Sequence, residues 1–182
     1  MAHLCLLALG FHLRSIRSAN EFEINEIITN SGLADKYNSS VLKLIWKELY
    51  EPCNILEFDY ITRKYSFGHF RFQEHLVALE LENNRTIEFS SILSDWWFGA
   101  LGLFAQNNDF SFIFEELFHK YGSINKGERA IRTMLNNCSQ RSKNNILPLF
   151  NSYLESDRLD PVWENKTFDE SFGADDWSKI GL

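Results

Sequence analysis

A histidine held where a strand runs into a helix can donate to an anion. The segment Tyr65-Ser66-Phe67-Gly68-His69-Phe70-Arg71-Phe72-Gln73-Glu74-His75-Leu76-Val77-Ala78 predicts such an arrangement at His69. The first amides of a helix lack intrahelical partners and the macrodipole is positive there, so a helix mouth favours phosphate or carboxylate oxygens. An imidazole at that point adds one further donor, and a bound anion would favour the protonated ring. The same residues have a plainer reading. His69 then caps the helix or packs beside Phe67, Gln73 and Glu74 lie on a solvated face, and His75 is ordinary surface.

No other part of the chain has so definite a pattern. His69 and His75 are six residues apart, whereas two helical metal ligands need a spacing of three or four to share a face, so His69, Glu74 and His75 predict no metal site. His3, His12 and His119 have no neighbour at such spacing. Ser39-Ser40 and Ser90-Ser91 read as helix caps rather than nucleophiles. Cys5, Cys53 and Cys138 are odd in number and far apart, which fits reduced, mostly buried thiols in a cytoplasmic protein better than a disulfide framework. No catalytic residue is assigned, and the chain alone is expected not to be an enzyme.

The net charge is −7, from 18 basic and 25 acidic residues. Residues 1–75 carry 8 Lys/Arg against 9 Asp/Glu, and residues 76–182 carry 10 against 16. Neither part supplies the cationic surface that binds phosphate backbones or anionic membranes. A DNA-binding alternative would use Lys43 and Lys47 on a recognition helix over 40–51 and Arg63-Lys64 on a hairpin wing. Glu48 and Glu51 share that helix, so the cover is thin.

The elements that would position His69 follow from hydrophobic spacing. Only 3 Pro and 9 Gly among 182 residues, with 16 Phe, favour a mainly α protein with a substantial core. Residues 2–17 predict a helix apolar on most faces, and no stretch is long enough to span a bilayer. Asn20-Glu21-Phe22-Glu23 reads as a connector or short strand. Ile24, Ile27 and Ile28 begin a helix that stops at Ser31-Gly32. Val41, Leu44, Ile45 and Leu49 mark a third helix, with Lys47 and Glu48 facing outward. Asn54–Tyr60 and Tyr65–Phe67 form a hairpin around Thr62-Arg63-Lys64. A helix then runs from His69 to about Glu82, with Phe72, Leu76 and Leu79 on its apolar face, and Asn83-Asn84-Arg85 ends it. Further helices are predicted over about 90–106, 110–121, 127–138 and 144–155, with short connectors that suit antiparallel neighbours. The resulting division is a winged-helix-like domain over 1–82, a helical bundle or solenoid start over 83–155, and an acidic, partly ordered tail over 156–182.

Phe67-x-His69-x-x-Phe72-Gln73-Glu74-x-Leu76-x-Ala78, placed after three helices and a hairpin, resembles the winged-helix region of NACHT-type STAND ATPases, the P-loop signalling proteins that include inflammasome receptors and bacterial antiphage proteins. Roughly residues 1–105 share that order of elements, but only the motif itself is specific. His75 departs from the aromatic usual in that family, and Val77 from the usual Ala. The resemblance implies that His69 contacts a phosphate of bound ADP and holds a closed state, and that exchange for ATP releases it to oligomerise. It implies a nucleotide-dependent signalling switch with a role in defence, the helical region making protein–protein contacts. The chain carries no G-x-x-x-x-G-K-[ST]. ADP or ATP is therefore expected only where a P-loop ATPase core is supplied in cis or in trans.

Overall fold

A computed structural model of the protein describes residues 2–31, 37–50, 55–84 and 87–159. Cys53, Arg85, the Ser31-Gly32 stop beyond Ser31 and the tail from 160 lie outside the described residues.

The chain is mainly helical, with a small antiparallel sheet. Helix α1 (Ala2–Leu13) buries Leu4, Leu7, Ala8, Leu9 and Phe11, as its all-round apolar sequence requires. It stops four residues short of the predicted end. Ser15 adopts a left-handed φ of 54°, Ser15 N donates to His12 O at 2.9 Å, and Ile16 N donates to Phe11 O at 3.0 Å. This pair of bonds satisfies the last carbonyls and turns the chain away.

The freed segment forms β1 (Ser18–Ala19), and α2 (Glu21–Asn30) begins at once. Asn20 Oδ1 accepts from Glu23 N while Glu23 Oε2 accepts from Asn20 N, at 2.9 and 2.8 Å. Asn20–Glu23 is thus a reciprocal capping box that opens a helix, not the connector or strand expected. Helix α3 (Ser39–Tyr50) is capped by Asn38, whose Oδ1 accepts from Val41 N at 2.9 Å.

The hairpin comprises β2 (Leu56–Asp59) and β3 (Lys64–Phe67). Asp59 fastens its turn by accepting from Ile61 N at 2.8 Å and from Thr62 Oγ1 at 2.7 Å. Strand β1 pairs with the free edge of β3, Ser18 opposite Ser66 and Ala19 opposite Tyr65, which gives the sheet order β1-β3-β2. Leu56 and Phe67 point inward, and the Phe67 ring meets Phe11 edge-on at 5.6 Å.

Strand β3 leads directly into α4 (Phe70–Asn83). After it come 3-10 turns at Phe89–Ser91 and Asp95–Trp97, then α5 (Phe98–Asn107), α6 (Phe112–Tyr121), a 3-10 turn at Asn125–Gly127, α7 (Glu128–Asn137) and α8 (Gln140–Leu159). The predicted helix over 90–106 is therefore two tight turns and a shorter helix. Ser90 and Ser91 act there differently from the caps expected: Ser90 N donates to Glu116 Oε1 at 2.7 Å, and Ser91 Oγ donates to Glu88 O at 2.6 Å. Helix α4 packs on α1 on one side and α5 on the other, and α5 packs in turn on α7. One continuous hydrophobic core runs from Leu4 to Phe150.

Candidate functional site

His69 is the N-cap of α4, with extended backbone at φ −137° and ψ 132°. Its Nδ1 accepts from Arg71 N at 3.0 Å, and the residue is exposed. An Nδ1 lone pair committed to an amide places the proton of the neutral ring on Nε2, which remains a donor. Protonation at Nδ1 would break the cap. A contact that preserves the cap would use Nε2–H.

The ring lines an open cleft of about 790 Å3 between α4, α5 and α7. Gly99 and Gly102, three residues apart on α5, form part of its lining, and a Cβ added at Gly99 would overlap the Glu74 carboxylate. Glu74 is only 6% exposed. Its Oε2 accepts from Arg71 Nη1 at 3.0 Å, and the Arg71 side chain is itself 68% exposed. The Arg17 guanidinium sits 4.3 Å from the centre of the Phe70 ring, next to His69.

Gln73 and Glu74 are buried, at 1% and 6% exposure, and neither lies on a solvated face. Phe72, expected in the core, is 39% exposed. The inward face instead runs through Gln73, Leu76, Val77, Glu80 and Leu81. Leu76, Val77 and Leu81 define it at helical spacing, and the same stripe extended back one turn meets Gln73 and Glu74. Following Phe72 gave the wrong face.

The residue that sequence reasoning passed over is His12. It is fully buried and joins three elements. Gln73 Nε2 donates to His12 Nδ1 and to Ile16 O, each at 3.3 Å. His12 Nε2 donates to Trp96 O at 3.2 Å, and Trp96 Nε1 returns a bond to His12 O at 3.0 Å. Burial pushes the ring's pKa down to about 4, so it is neutral and carries its proton on Nε2. One turn beyond His69, Gln73 thereby ties α4 both to the end of α1 and, through His12, to the entry of α5.

The cations of the DNA-binding alternative are spread over two elements. Lys47 is exposed on α3 beside exposed Glu48, and Arg63 stands in the hairpin turn with φ 53°. Lys64 is half-buried at the start of β3, opposite Asp59. The Lys43 side chain lies outside the described residues. Cys5 is buried and Cys138 half-buried, and burial raises both thiol pKa values, which makes them poor thiolates. Among the described residues no group of three His, Cys, Asp or Glu could hold a metal ion, and no helix is long and apolar enough to cross a membrane. Compared with family models, curated proteins and solved structures, the chain gives no match.

Proposed function

We propose that this chain is the regulatory, winged-helix-like part of a NACHT-like nucleotide switch, in which His69 donates through Nε2–H to a phosphate of ADP delivered by a P-loop core. The observation that carries this reading is the position of His69. The ring is exposed at the positive end of a 14-residue helix, fixed by its cap, and open to a cleft. The three-stranded sheet behind it supports the reading as well, because β1 and the hairpin fix the strand that delivers His69. The Gln73–His12–Trp96 network gives such a contact a mechanical consequence. A pull on the first turn of α4 would be felt at the end of α1 and at the turn that leads into α5. Its output would be a protein–protein contact of the helical region, made when ADP leaves, in the cytoplasm.

The test is ADP release from the switch with its P-loop core supplied in cis or as a co-expressed partner. His69→Ala removes cap and donor, and should speed ADP release about tenfold, the ratio that the loss of one charge-assisted hydrogen bond of ~1.4 kcal/mol produces. His69→Asn retains a good capping acceptor but lacks the ring's outer nitrogen. It should restore stability and still release ADP fast. Wild-type release rates in both variants would reject the proposal.

A further inference from the structure

The cleft beside His69 contains a feature that a phosphate contact leaves unused. Glu74 lies in its lining at 6% exposure, and it is the one acid among the cleft's described lining residues. A buried carboxylate is costly unless its oxygens are paired. Among the described residues Oε2 has a single bond, to an arginine that is two-thirds in solvent, and Oε1 has none. The α5 position that it faces is Gly99, so the carboxylate lies directly against that helix's backbone at the cleft's edge. The cleft is lined further by Phe98 and Leu103, by the amides of Gln106 and Asn137, and on the α4 side by His69, Arg71 and His75.

We infer that this cleft receives a guanidinium group, an arginine side chain presented by a partner protein, which pairs with Glu74. The proposal goes beyond the nucleotide reading and does not depend on it. A planar guanidinium matches both carboxylate oxygens at once, which Arg71 at i−3 on the same helix does not do. The incoming group takes Oε1 and displaces or shares the Arg71 bond, and Arg71 loses little because it is already largely hydrated. A cleft of about 790 Å3 is far larger than one guanidinium. It accommodates the aliphatic stem and flanking backbone as well, with Phe98 and Leu103 against the stem and the two amides against peptide groups. A single free amine would leave most of those surfaces unmatched.

The experiment is a titration of the full chain with N-acetyl-argininamide, followed by the amide resonances of Gly99 and Gly102. Its uncharged isostere, N-acetyl-citrullinamide, spermidine and pyrophosphate are run alongside. The arginine derivative should shift both glycines, and the citrulline derivative should not. Glu74→Gln should weaken binding about tenfold. Arg71→Ala, at an exposed position that leaves the fold intact, should strengthen it several-fold by removing the competing cation. A Glu74→Gln variant that melts far below wild type is set aside, and the Arg71→Ala result then decides. Equal binding of the citrulline and arginine derivatives, stronger binding of spermidine, weaker binding in Arg71→Ala, or glycine shifts produced by pyrophosphate alone would each overturn the assignment. His69→Asn should leave arginine binding unchanged, so this site and the ADP contact stand or fall separately.

Discussion

His12 shows how much one buried side chain can contribute when every polar atom is used. Both ring nitrogens and the backbone carbonyl are bonded within a fully buried setting, and burial, opposed only in part by the Trp96 carbonyl bond, lowers the ring's pKa from 6.5 to about 4. Above pH 6.5 the ring is neutral whether the chain is folded or not, and it adds no pH dependence. As pH falls, the unfolded chain takes up the proton first. Stability is lost between pH 6.5 and 4, by roughly 3 kcal/mol in total, and the loss is complete below that window. Urea unfolding of wild type and His12→Gln across pH 4–8 measures it. The variant should be ~1–3 kcal/mol less stable at pH 7, because Gln73 and the Trp96 carbonyl lose well-placed partners. The gap should narrow steadily towards pH 4. A constant difference at all pH values would mean that the ring does not titrate as its surroundings demand.

At the scale of elements, most boundaries were legible wherever spacing and capping chemistry agree. Helices α6 and α7 lie within two residues of their predicted limits, because Phe110 to Phe118 and Ala130 to Leu135 repeat at helical spacing. Two of the misread stretches have local physical reasons. At Ser15 a non-glycine residue takes the left-handed conformation, a choice set by the bonds of Ile16 and Ser15 rather than by side-chain type. At Asn20 the capping signature was present, but Asn20-x-x-Glu23 was overlooked beside its run of polar residues. The place of His69 at the strand-to-helix junction followed from strand and helix patterns alone, which left capping and packing beside Phe67 open. The cleft around it did not, since α5 and α7 come from distant sequence and Gly99 carries no local sign of the carboxylate that needs its space. Close approach also governs α1 against α2. A Cβ at Gly10 would overlap the Ile27 side chain, whose branched Cβ leaves few rotamers to retreat into. Gly10→Ala gains about 1 kcal/mol of helix propensity but incurs overpacking of about 1–3 kcal/mol. A lower melting temperature is expected, and Ile27→Ala in the same chain should recover part of it, since the two changes share one contact.

For the whole molecule the decisive element is α4. Its buried residues Leu76, Val77 and Leu81 belong to one core with Phe11 of α1 and Leu101 and Phe104 of α5, and the helix packs against both neighbours. A boundary drawn after residue 82 on sequence grounds passes just behind an element that both sides need. Removing α5 would uncover the α4 face and take Trp96 from the buried His12 network. Removing α1 would strip the other side. Either loss exposes apolar surface at about 25 cal/mol per Å2 and takes well-placed partners from the His12 network. The winged-helix-like part and the helical part should therefore unfold together. Native-state hydrogen exchange tests this directly: the slowest amides of α1, α4 and α5 should open with the same free energy and the same denaturant dependence. Exchange of α5 through a separate, lower-energy opening, with α1 and the sheet still protected, would show two independent units. Shared opening would bear on the proposed sites, because a ligand held at His69 or Glu74 would then act on a body that opens as a unit.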